Sequence, residues 1–301
     1  MQKTTIQWTD YSLNALKYRD ASRKSVWGCV KVSEGCKNCY SETSAKRWKR
    51  GGPFSLAQMK TLTPYFNETE AANVLRSKEI AGKRIFVSDM SDLFGEWVPD
   101  EIIDKHFSLF ALRPDVTFQL LTKRPERMAA YLTSFYPEGG RLEAMLGSMQ
   151  VSGESPFDHA TDDDVKRLSE IDVLPNVWLG CSCENQAAAD ERIPHLLRCP
   201  AVVRFLSVEP MIGPVTLPEE FLQRLHISDD GPKGTRWVII GGESGPKARP
   251  FDLAWARSIR DQCKAAGVPF FMKQDAGPKP GMRGRIPDDL WIQEFPESAK
   301  A

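Results

Sequence analysis

Short apolar runs recur along this chain, each followed by a few polar residues and then by a stretch with helical periodicity, and this alternation limits the possible folds more than any other feature. The runs occupy residues 84–87, 117–121, 177–179, 202–206, 237–240 and 269–272, with a further candidate near 26–30. Apolar residues return every three or four positions over 100–112, 125–135, 186–197 and 253–266, the spacing of an amphipathic helix. Repeated strand–helix units of this kind build a parallel sheet. Seven strands with helices between them predict an α/β fold, a TIM-like parallel barrel with either a complete or an incomplete wall.

At 301 residues and 41% hydrophobic content the chain is able to bury a full core, so one barrel domain over 1–301 is expected. Residues 137–172 break the rhythm. Gly139-Gly140, Gly147-Ser148 and Asp162-Asp163-Asp164 lie in a stretch too long for a simple connection, which predicts an insertion or a lid. No run of about 18 apolar residues occurs, and the opening MQKTTIQWTD lacks the charged-then-apolar order of a signal peptide. A soluble, cytoplasmic protein that does not engage a membrane is expected. Seven cysteines, an odd number spread over a long chain, argue for reduced thiols rather than a disulfide framework. Forty Lys and Arg residues cancel forty Asp and Glu, so the overall charge points to no polyanionic partner. One local exception is the run Lys46, Arg47, Lys49 and Arg50 around Trp48, readable as a solvated helix end or as a phosphate contact.

Polar residues cluster just past the carboxyl ends of the predicted strands. They are Ser88-Asp89-Met90-Ser91-Asp92, Thr122-Lys123-Arg124, Ser182-Cys183-Glu184-Asn185, Ser207-Val208-Glu209-Pro210, Gly241-Gly242-Glu243-Ser244 and Lys273-Gln274-Asp275. Barrel enzymes place their chemistry at this end, and six successive strands ending in this way predict a shared pocket.

A second signal lies between Gly28-Cys29 and Gly35-Cys36-Lys37-Asn38-Cys39-Tyr40. Cys36 and Cys39 have the two-residue gap that lets one turn aim both sulfurs at one metal, and Cys29 lies in the same loop. Three thiolates bind soft metals strongly. A structural zinc site takes four protein ligands, and no fourth Cys or His lies nearby, the first histidine being His106. A cubane iron–sulfur cluster held by three cysteines keeps one iron open for a small molecule, so the missing fourth ligand favours the cluster. Of the remaining cysteines, Cys199 and Cys263 read as small core residues. Cys181 and Cys183 alternate along a strand and are expected to face opposite sides, leaving at most one able to reach the site.

The Cys-x-x-Cys-Tyr ending at Tyr40 is similar to the cluster loop of radical S-adenosylmethionine enzymes, especially the spore photoproduct lyase-like branch. Over residues 6–10, 28–40, 84–94, 118–128, 177–180, 203–215, 241–245 and 270–274 the chain resembles the phage-associated three-cysteine-motif protein family. That resemblance implies a [4Fe-4S] cluster on Cys29, Cys36 and Cys39, whose open iron chelates S-adenosylmethionine and whose electron releases a 5′-deoxyadenosyl radical. It further implies Tyr40 beside the cluster, Ser88 and Asp89 on the methionine amino group, and Lys123 or Arg124 on its carboxylate. Glu209 and Glu243 are then candidates for ribose hydroxyls or substrate. A nucleotide or nucleic acid substrate, an electron donor and a partner protein encoded nearby complete the expectation.

The chain departs from the pattern in several places. Six residues separate Cys29 from Cys36 where the radical-enzyme loop has three, and Gly241-Gly242-Glu243 comes far later than the Gly-Gly-Glu that follows the second strand in those enzymes. Residues 15–27 read as an insertion, and Asp275-Ala276 replaces the family's aromatic–glycine pair. Two alternatives stay open. One is a zinc-stabilised, non-catalytic nucleic-acid- or partner-binding protein; the other is metal-assisted hydrolysis by Asp89, Asp92, Glu209 and Glu243, which lacks the histidines that usually accompany it.

Overall fold

In the computed structural model, which describes residues 1–134, 161–169, 173–223 and 234–296, all six of the main apolar runs are strands of one sheet. The first part of the chain forms β1 (Gln2–Lys3), β2 (Tyr11–Leu13), β3 (Leu16–Arg19), β4 (Ser25–Val26), α1 (Tyr40–Arg47), α2 (Leu56–Met59), β5 (Thr63–Phe66) and α3 (Glu68–Arg76). Next come β6 (Arg84–Val87), α4 (Asp100–Ala111), β7 (Thr117–Thr122), α5 (Pro125–Thr133) and α6 (Asp162–Ser169). The rest is β8 (Val177–Ser182), α7 (Gln186–Arg198), β9 (Val203–Val208), α8 (Glu219–Leu222), β10 (Thr235–Gly241), α9 (Leu253–Ala266) and β11 (Phe270–Gln274).

The main sheet has the order β1-β2-β6-β7-β8-β9-β10-β11, with β1 antiparallel to β2 and every later pair parallel. The chain is thus a mixed α/β protein whose mostly parallel sheet alternates with helices. β1 and β11 are the edges, and among the described residues no ladder joins them.

The strand expected near 26–30 is not part of this sheet. Its place is taken by β2, which pairs with Ile85–Val87, while β4 belongs to a separate antiparallel sheet of order β4-β3-β5 built from the insertion at 15–27 together with β5. β2 is buried along its whole length but only three residues long, too short to stand out as an apolar run. After β4 the backbone packs tightly at Gly28, where a Cβ would meet the Met59 sulfur at 2.7 Å.

Alternation along the strands sorts the core in two. One face, with Ile85, Val87, Leu120, Leu179, Leu206, Val238, Ile240 and Met272, packs under the helices. The other, with Phe86, Trp178, Phe205, Trp237, Ile239 and Phe271, gathers round Trp8. The Trp8 ring lies 4.7 Å from Phe86 on β6, 6.2 Å from Phe205 on β9 and 6.4 Å from Trp237 on β10. In a flat sheet β6 and β9 would stand about 14 Å apart, so a single ring reaching both requires the sheet to curl around it. Gly180 permits this, because a Cβ there would meet the Phe205 ring at 2.6 Å. Towards the carboxyl ends the same concave face changes from aromatic to small residues, at Gly180, Ser182, Ser207 and Gly241.

Some strand-end polarity serves the helices. Asn185 caps α7 by accepting from the Ala188 amide at 3.0 Å. The insertion or lid expected over 137–172 lies outside the described residues except for 161–169, where the Arg167 guanidinium of α6 donates to the Ala111 carbonyl at 2.6 Å. Among the described residues no helix is long and apolar enough to cross a membrane.

Candidate metal centre

The loop carrying Cys29, Cys36 and Cys39 is held across the carboxyl ends of the sheet by groups from four strand ends. Beyond β6, the Ser91 hydroxyl donates to the Gly28 carbonyl at 2.7 Å, and the Asp89 carbonyl accepts from the Tyr40 hydroxyl at 2.6 Å and the Ser41 hydroxyl at 2.7 Å. Beyond β7, Arg124 donates to the Val30 carbonyl at 3.1 Å. Beyond β8, Glu184 accepts from the Gly35 amide at 3.2 Å. Beyond β10, Glu243 accepts from the Asn38 amide at 2.9 Å while its partner Arg249 donates to the Glu34 carbonyl at 3.0 Å.

Each clamp is itself braced. Arg124 stacks 4.6 Å above Trp97, pairs with Asp92 at 3.0 Å and bonds both oxygens of Glu96. Asp92 in turn accepts from the Thr122 hydroxyl at 2.7 Å and the Lys123 amide at 3.2 Å. Glu184 pairs with Arg192 at 2.9 Å, the two side chains being only 1% and 3% exposed. Burial alone would raise the Glu184 pKa, but the Arg192 charge, the Ser33 hydroxyl and the Lys123 charge together hold the carboxyl below its usual range. Glu243 is likewise held low, burial being overcome by Arg249.

The three thiols of the loop are free and half-buried. Burial pushes the Cys29 thiol up to about 12, with the Asp92 charge adding to it and the Arg124 charge opposing it. Among the described residues no group of three or more His, Cys, Asp and Glu side chains is gathered to hold a metal ion. The donor chemistry nevertheless suits a thiophilic group: three sulfurs on one loop whose backbone is pinned at Gly28, Val30 and Gly35.

Cys181 and Cys183 do not face opposite sides, contrary to the expectation above. Their sulfurs are 3.6 Å apart and both residues are fully buried in the core beneath the helices. Residues two apart on extended backbone share a face, so Cys181 and Cys183 point together and Ser182 between them points the other way.

Of the other residues singled out, Arg124 and Glu243 are engaged in holding the loop, whereas Ser88, Asp89, Lys123 and Glu209 keep capacity for a ligand. Ser88 has φ +60, a left-handed backbone that costs a residue with a Cβ about 1 kcal/mol or more, and its buried hydroxyl has no hydrogen-bond partner among the described residues. Burial raises the Asp89 carboxyl, against the hydrogen bond from the Asn14 amide at 2.5 Å. Lys123 is half-buried and forms no ion pair among the described residues, although Glu184 lies within its field. Glu209 is paired through one oxygen with Lys273 at 2.5 Å and Gln274 at 3.2 Å. Tyr40 is 48% exposed as a residue, while its hydroxyl turns inward to the Asp89 carbonyl, its pKa raised by burial of that group and then by the Asp89 charge. Glu184, Asn38, Arg249 and Arg192 were not predicted as site residues: the first three meet groups far away in sequence, and Arg192 acts only by pairing with Glu184 from within α7.

A family model described as a protein of unknown function, DUF5131, matches residues 3–285. The chain belongs to the DUF5131 family. The DUF5131 match takes in the cysteine loop, all seven parallel strands and every clamp residue from Ser91 to Arg249. No curated protein and no solved structure matches the chain.

Proposed function

We propose that this DUF5131 chain is an iron–sulfur radical S-adenosylmethionine enzyme on a TIM-like barrel with an incomplete wall, with Cys29, Cys36 and Cys39 as the cluster ligands. The clamp carries the reading: a loop bearing three thiols is tied by Ser91, Arg124, Glu184 and Glu243 across the polar mouth of the sheet. When bound, the cluster supplies the electron for reductive cleavage of the S-adenosylmethionine sulfonium.

The chain's own residues bind and orient. Lys123, which has no ion-pair partner among the described residues, supplies a cation for a carboxylate, and the Ser88 hydroxyl, without a partner among the same residues, supplies a hydrogen bond to an amino or hydroxyl group. Asp89, held by Asn14, stands beside Ser88 as an acceptor. Glu209 offers its second oxygen to a ribose or to substrate. Arg124 and Glu243 act by positioning the loop. The aromatic layer round Trp8 seals the inner face against water, as radical chemistry requires.

Anaerobic purification and reconstitution with iron and sulfide tests the reading. Elemental analysis should match one [4Fe-4S] cluster, and the reduced protein's electron paramagnetic resonance spectrum should shift on addition of S-adenosylmethionine. Cys29→Ala should lose the cluster, whereas Lys123→Ala should retain it and lose the shift. Stoichiometric zinc with no iron after reconstitution would replace the proposal with a zinc-stabilised binding protein.

A further inference from the structure

Charge and exposed apolar surface, balanced over the chain as a whole, are concentrated in one place. Residues 17–50 hold ten Lys and Arg against three Asp and Glu, in a protein whose totals cancel. Of the three acids, Asp20 accepts from the Ser22 and Lys24 amides, and Glu42 is buried between Lys31 and Lys46. Arg47, Lys49 and Arg50 have no carboxylate partner among the described residues. Three of the five exposed large hydrophobic side chains among the described residues fall in the same region, Trp48 at 55%, Tyr40 at 48% and Val32, the other two being Leu56 and Met282.

These residues form one surface. The Trp48 ring lies 5.7 Å from Trp27, and the Arg50 guanidinium stacks 5.4 Å from the same Trp27 ring. The Lys24 ammonium reaches the Lys49 carbonyl at 2.8 Å, and the Trp27 amide donates to the Arg50 carbonyl at 2.7 Å. Helix α1 joins the patch to the mouth, Tyr40 opening its first turn beside Cys39 and Trp48 closing it at the far end, about 12 Å away along the axis.

We propose that this surface binds single-stranded nucleic acid, with bases stacked on Trp48, phosphates held by Arg47, Lys49, Arg50 and Lys24, and the strand led along α1 to Tyr40 at the mouth. An exposed indole flanked by cations suits unstacked bases, whose faces are buried in a duplex. Stacking and phosphate contact read neither base identity nor the sugar, so DNA and RNA single strands bind alike. An anionic membrane fits less well, because α1 between the two aromatic rings reads YSETSAKR and lacks the broad apolar face that lies in a headgroup layer. The surface is independent of the proposed cluster and is tested on protein without iron, so that failure of one leaves the other standing.

The probe is a fluorescein-labelled 12-mer of thymidylate, with binding read by anisotropy over a range of salt concentrations. Affinity for the full chain should fall with salt at a log–log slope of about −0.7 per phosphate contact. Trp48→Ala should weaken binding by roughly fivefold or more, and Arg47→Ala/Lys49→Ala should reduce the slope by about 1.4. All three substitutions are at exposed positions. A labelled 12-base-pair duplex should bind more weakly than the single strand. Parental affinity in Trp48→Ala together with an unchanged slope in the double variant would overturn the proposal. So would duplex bound as tightly as the single strand, or phosphatidylserine vesicles that sediment the protein when the oligonucleotide does not bind.

Discussion

Replacing Glu184 by Ala separates the energetic role of the clamp from its geometric one. Glu184 and Arg192 are 1% and 3% exposed, so solvent does not screen their pairing, and deleting one partner leaves a buried charge. Such a deletion costs about 3–5 kcal/mol, which for a chain of this size lowers the melting temperature on the order of 10 °C. The Gly35 amide also loses its acceptor, so the loop around Cys36 should open and Cys36 should react faster with N-ethylmaleimide, followed by peptide mass spectrometry. The double variant Glu184→Ala/Arg192→Met removes the orphaned charge and should recover much of the stability. It still lacks the acceptor for Gly35, so Cys36 should stay fast. Parental labelling of Cys36 in Glu184→Ala would refute the argument that this carboxylate holds the loop.

Gly35→Ala approaches the same contact from the other side, because the new Cβ would meet the Glu184 carboxyl carbon at 2.8 Å; a loss of about 1–3 kcal/mol with faster Cys36 labelling is expected, checked by urea unfolding and the same assay. Gly180→Ala would drive a Cβ into the Phe205 ring at 2.6 Å and should destabilise by about 1–3 kcal/mol without changing thiol reactivity. His106 is fully buried against Phe66 and Phe110, and burial pushes its pKa down to about 4 from 6.5. Its folded pKa lies below the unfolded one, so its contribution is complete above about pH 6.5 and is lost as pH falls towards 4, about 3 kcal/mol in all. Urea unfolding from pH 7 to 4 should show a shallower acid limb in His106→Phe, and parallel curves would contradict this.

The strands at 117–121 and 202–206 were legible because each is a short run rich in apolar and β-branched residues that ends in polar ones. The helices were legible for the same local reason, since residues three and four apart share a face. β2 was not, because three residues carry too little pattern, and the apolar run at 26–30 imitated it. Cys181 and Cys183 were misjudged because residues two apart on extended backbone share a face, which brings their sulfurs within 3.6 Å.

The polar strand ends stood out as a set, but their tasks did not. Arg124 meets a carbonyl 94 residues away, Glu184 an amide 149 away and Glu243 an amide 205 away. Local periodicity reflects neighbours along the chain and is written in composition and spacing, so the sequence alone determined the alternating α/β pattern, the ring of polar strand ends and the three thiols on one loop. Which of those polar groups grips the loop and which stays open to a ligand depends on where curvature of the sheet brings distant strand ends, and only the tertiary structure decided it.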